Sequence, residues 1–103
     1  MRQAVKSVEE VKAILKEHKA EVMQKYQVRE IGIFGSFVRG EQKRRSDIDI
    51  LVEFAPRNIP GLITLCEMER YLQRLLRKKV DVVIKSGIRS ELKKVILKEV
   101  VYI

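Results

Sequence analysis

An α/β sandwich is the fold this sequence predicts, and three observations predict it. Segments whose apolar residues recur at helical spacing interleave with short β-prone runs along the chain. The length, 103 residues, suits a single domain, read here as residues 1–103. Apolar residues make up 46% of the chain, enough for a core. With no Trp, three Phe and three Tyr, that core must be largely aliphatic.

The elements follow in order. Ser7-Val8-Glu9-Glu10 reads as a capping box, with Ser7 at the cap and Glu10 three residues on. Val8, Val11, Ile14, Leu15, Val22 and Tyr26 then recur at helical spacing, which predicts a helix over 7–26. His18 lies on or near that stripe, where no surrounding motif points to catalysis. Residues 28–34 are short and β-prone and end at Gly35-Ser36, where the chain must turn. Residues 37–39 suggest one helical turn, stopped by Gly40. Residues 41–46 are polar and loop-like. A second strand is expected over 47–54, and Pro56 and Pro60 bracket a loop. A second long helix is predicted over 61–77, with Leu62, Leu65, Met68, Leu72, Leu75 and Leu76 facing inward. Residues 80–84 are the third strand. Ser90 is expected to cap a last helix over 91–100 whose apolar face is Leu92, Val95, Ile96 and Val100. The apolar end, residues 100–103, either packs back on the domain or meets a partner.

Lys and Arg total 22 against 14 Asp and Glu, a formal net charge of +8. Such a balance favours anionic partners: nucleotides, nucleic acid or an acidic protein surface. The excess is uneven. Residues 31–56 are neutral, whereas Arg57, Arg70, Arg74, Arg77, Lys78 and Lys79 face only Glu67 and Glu69 within 57–80. Lys43-Arg44-Arg45 reads as a solvated basic loop. Cys66 is alone, which excludes a disulfide within the chain, and its neighbours Leu62 and Leu65 suggest a buried thiol. The first ten residues lack an apolar signal region, and no apolar run approaches the roughly 18 residues of a membrane span. A cytoplasmic protein is expected, with no membrane partner.

The chemistry concentrates in Gly35-Ser36 and, further on, Asp47-Ile48-Asp49. Side chains two apart on a strand share a face, so Asp47 and Asp49 project together. Paired carboxylates repel, and such hard oxygen ligands suit Mg²⁺, which also takes oxygens from substrate phosphates. Glycine permits close backbone approach, so Gly35 and the Ser36 hydroxyl are candidates to hold phosphate oxygens. Asp81 stands in an otherwise apolar strand, where a carboxylate is costly unless a charge or metal compensates it. If that strand lies beside the second, Asp81 faces Asp49. A phosphate holder beside a metal holder is what nucleotidyl transfer requires.

Gly35-Ser36-Phe37-Val38-Arg39-Gly40-Glu41, followed by Ser46-Asp47-Ile48-Asp49-Ile50-Leu51-Val52, resembles the signature of the polymerase-beta-like nucleotidyltransferase superfamily. More narrowly it resembles the minimal nucleotidyltransferases, often the antitoxin half of HEPN/MNT toxin–antitoxin pairs. The resemblance implies a polymerase-beta-like fold: a small mixed sheet of three to four strands packed by helices. It implies that Gly35 and Ser36 bind the triphosphate of ATP and that Asp47 and Asp49 bridge two Mg²⁺ ions, with Mn²⁺ as a substitute. Asp81 would help hold the catalytic metal and assist deprotonation of the acceptor. Arg39 would contact phosphates or pair with Glu41 or Glu53.

Larger relatives carry further domains for the acceptor. Here about twenty residues follow Asp81, so the acceptor is expected to bring its own surface. By resemblance, it is a tyrosine hydroxyl of a cognate HEPN toxin that receives AMP. Two other readings stand beside this one: an antitoxin that masks its toxin by binding alone, and nucleotidyl transfer to an RNA end. A homo- or hetero-oligomer is expected. No base-reading residue is identifiable.

Overall fold

The structure is a computed structural model and describes residues 4–103. Helix α1 spans Val8–Tyr26, strand β1 Val28–Phe34, the short helix α2 Ser36–Arg39, β2 Ile48–Phe54, α3 Leu62–Leu76, β3 Val80–Ile84, α4 Ser90–Glu99 and β4 Val101–Tyr102. The strands form one mixed sheet in the order β3-β2-β1-β4. β1 is antiparallel to both β2 and β4, while β3 returns through α3 to lie parallel to β2.

α1 begins as its sequence predicts. Ser7 Oγ accepts from Glu10 N–H at 3.2 Å. The Glu10 carboxylate reaches back to the Lys6 amide, one residue short of the full reciprocal box. The α1 stripe of Val11, Leu15 and Val22 packs with Met68, Leu72 and Leu76 of α3 on one sheet face. That face is supplied by the alternate residues Ile48, Ile50, Val52 and Phe54 of β2, all buried. β2 starts at Ile48, so Asp47 sits just before the strand rather than within it.

The apolar end packs back. Val101 and Tyr102 pair with Ile33 and Gly32, and Ile103 N–H donates to the Ile31 carbonyl at 2.9 Å. Gly32 permits this: a Cβ there would lie 2.7 Å from Val100 Cγ2.

Several expected positions are corrected. Cys66 is exposed. Leu62 is 77% exposed, and the fully buried face of α3 starts only at Met68. Leu92 and Val95 are also exposed, and α4 buries no residue fully. Its apolar face meets a partly open groove instead of a closed core. Ser90 is the first residue of α4 rather than its cap. The N-cap is Arg89, which makes no capping side-chain hydrogen bond. His18 lies beside Glu21, 3.6 Å away, on the α1 surface.

Candidate active site

Sheet register assembles the site. Phe34, Asp49 and Asp81 lie in a row across β1, β2 and β3, because Phe34 pairs with Asp49 and Asp49 with Asp81. Adjacent strands are about 4.8 Å apart, so the two carboxylates are neighbours on one face. This is the face opposite the core, since Ile48 and Ile50 on either side of Asp49 are buried. Asp81 is exposed on the edge strand, so the burial cost expected for it does not arise.

Burial raises the Asp49 carboxyl above the usual aspartate range, and the charges of Asp81 and Asp47 raise it further. Asp47 is half-buried just before β2, with Lys79 Nζ 3.9 Å from its Oδ2. Register brings Asp49 and Asp81 together, while Asp47 acts on Asp49 through its charge from just outside the strand. Among the described residues, no three His, Cys, Asp or Glu side chains enclose a metal by themselves. Mg²⁺ is commonly held by one or two carboxylates plus substrate phosphates, and the in-register Asp49 and Asp81 offer donors of that chemistry.

Gly35 sits directly against Asp49. Its backbone adopts φ 82°, ψ −154°, a region open essentially to glycine alone. A Cβ would stand 2.1 Å from Asp49 Oδ2. The turn is completed by the amides of Val38 and Arg39, both of which donate to the Gly35 carbonyl. Gly40, with φ 71°, ends α2 in the left-handed conformation. Ser36 follows Gly35 as the first residue of α2 and remains partly accessible.

Sequence reasoning missed Glu99. Its Oε2 accepts from Gly35 N–H at 2.6 Å, and its two oxygens pair with Arg39 Nη1 at 3.1 and 3.2 Å. Arg39 also pairs with Glu41, as one reading of the sequence expected, but Glu53 does not join it. One signal for Glu99 was available. An acid in the last turn of a helix opposes the helix dipole, so its presence at the end of α4 needs a tertiary reason.

The basic loop places Lys43 and Arg44 beside Lys78 at the rim of a cavity of about 350 Å³ next to Phe37. Arg45 is exposed. A second cavity, about 400 Å³, opens beside Asp49 and Asp81 beneath α4.

The profile of a nucleotidyltransferase domain family matches residues 15–103. The protein adenylyltransferase MntA of Thermococcus cleftensis is 49% identical over 100 residues, covering 97% of this chain and 99% of that protein. A candidate protein adenylyltransferase of Methanocaldococcus jannaschii is 47% identical over 88 residues, 85% of this chain and 100% of its own. Among solved structures, a candidate minimal nucleotidyltransferase matches with a TM-score of 0.78 at 26% identity, covering 96% of this chain and 98% of that one. A toxin–antitoxin solved with AMP-PNP matches with a TM-score of 0.70 at 25% identity, covering 84% of this chain and 70% of that one.

Proposed function

The chain belongs to the nucleotidyltransferase domain family, and on that premise we propose that it transfers AMP from ATP to a tyrosine hydroxyl of a cognate HEPN toxin and so acts as its antitoxin in the cytoplasm. The observation that carries this reading is the in-register Asp49–Asp81 pair with the Gly35 backbone pressed against Asp49. It brings the Gly35 turn against Asp49, with Asp81 on the adjoining strand.

In this reading Gly35 and Ser36 hold phosphate oxygens, and Arg39 adds positive charge beside them. Asp47, Asp49 and Asp81 would hold two Mg²⁺ ions, or Mn²⁺ in their place, which supply charge neutralisation at the triphosphate and acidify the acceptor hydroxyl. The acceptor oxygen attacks the α-phosphorus in line. The new O–P bond forms as the bond to the bridging oxygen of pyrophosphate breaks. The acceptor proton passes to the Asp81 carboxylate or to a water. The products are a tyrosyl-AMP ester and pyrophosphate.

A protein acceptor is supported by the exposed apolar side chains Leu62, Ile63, Leu92 and Val95. Among the described residues, no helix is long and apolar enough to cross a membrane. Co-expression with the neighbouring gene and intact mass measurement tests the reading. AMP additions on the partner are expected, and none with Asp47→Ala. A bound, silenced but unmodified partner would replace transfer with masking. Label from ATP appearing on RNA instead would redirect the activity to a nucleic-acid end.

A further inference from the structure

The cavity beside Asp81 has a character of its own. Its floor holds Asp49 and Asp81, and its walls include Val83 of β3 and Ile88, Leu92 and Ile96 from the segment that becomes α4. Its volume of about 400 Å³ falls within the range of small-molecule sites. α4 is held across this face at its far end by the Glu99 carboxylate on Gly35 N–H and Arg39.

Direction of attack decides which reactant enters. The Gly35-Ser36 turn follows β1, while Asp81 lies on β3, with Asp49 of β2 between them. If pyrophosphate leaves toward the turn, the in-line nucleophile arrives from the β3 edge. That is where the cavity opens. A ribose entering it would bring several hydroxyls to walls that are mostly aliphatic, with Arg89 the one polar side chain beyond the two acids. A phenol brings one hydroxyl, at the tip of an apolar ring.

We propose that this trough between β3 and α4 is the acceptor seat, and that Val83, Ile88, Leu92 and Ile96 hold the aromatic ring of the tyrosine whose hydroxyl meets Asp81. The proposal rests on the transfer reading above and selects a phenol over a sugar as the acceptor. Arg89, at the start of α4, borders the same cavity and is available to the acceptor's backbone or to a neighbouring acid.

The test is methyl NMR on the full chain saturated with Mg-AMP-PNP. N-acetyltyrosinamide is titrated in, with uridine as the sugar-bearing control. Ring-current shifts are expected at the methyls of Leu92, Ile96 and Val83 with the phenol, at Asp81-proximal positions most strongly, and not with uridine. Leu92 is 58% exposed, so Leu92→Asp should fold normally, which circular dichroism checks. It should abolish the phenol shifts and lower AMP transfer to the partner by about tenfold or more, with nucleotide affinity held within about twofold. Shifts that appear with AMP-PNP alone would give the trough to the adenine base and overturn the proposal. So would equal shifts with uridine, or none with the phenol. Phenol shifts without any AMP transfer would leave the seat standing and remove the transfer reading beneath it.

Discussion

Gly35→Ala should damage the fold and the site through one added methyl. The native φ of 82° and ψ of −154° lie where a side chain costs about 1–3 kcal/mol. The new Cβ would also lie 2.1 Å from Asp49 Oδ2 and 2.9 Å from its Cγ. Asp49 cannot simply swing away, because it is half-buried with Asp81 beside it, and an off-rotamer side chain adds about 0.5–1.5 kcal/mol. The total is roughly 2–4 kcal/mol, and a domain of this size loses about 4–8 °C of Tm per kcal/mol. A fall of about 8–30 °C is therefore expected by thermal unfolding, together with loss of transfer. Gly87→Ala is the control, since a Cβ there meets nothing within 4 Å and its φ lies outside the positive region. If the two variants melt together, the strain and contact assigned to Gly35 are wrong.

Three further outcomes are expected. Asp49→Asn should abolish transfer yet leave the metal-free domain as stable or slightly more so at neutral pH, since the charge it removes is opposed by burial and by Asp81 and Asp47. The sign follows from linkage: a carboxyl raised in the folded state contributes stability below its unfolded pKa and loses it as pH rises through the folded one. Unfolding of the metal-free wild type from acid to neutral pH should show that loss, and Asp49→Asn should lack it. Near-normal turnover in this variant would remove Asp49 from the metal site. Ser36→Ala should weaken ATP binding by about 1–2 kcal/mol while sparing Mg²⁺ affinity, measured by calorimetry; the reverse pattern would exchange the roles. Glu99→Gln should lower the ligand-free Tm but tighten ATP binding roughly threefold to tenfold, because the carboxylate now occupies the Gly35 amide and Arg39, which a phosphate needs. Weaker ATP binding would instead make Glu99 the brace that shapes the turn.

Much of the molecule was legible along the chain. The α1 cap at Ser7, the three main strands and the four helical segments are local patterns, set by side chains within one turn or one pleat of each other. The alternation around Asp49 already separated its carboxylate from Ile48 and Ile50, and Gly35-Ser36 already marked a turn after the first strand. The cytoplasmic and single-domain expectations rest on composition alone. Tertiary structure decided which elements become neighbours. Asp81 meets Asp49 only because α3 returns β3 parallel to β2 in a particular register, and a shift of one residue would send Asp81 to the other face. Glu99 reaches Gly35 from 64 residues away, with no local motif to announce it. Cys66, Leu62 and Leu92 were expected to be covered because they are apolar or sit among apolar residues, yet they are exposed. Periodicity says that a helix has an apolar side; the area of the opposing surface decides how much of that side is covered, and here the far face of the sheet leaves α4 half open above the two acids.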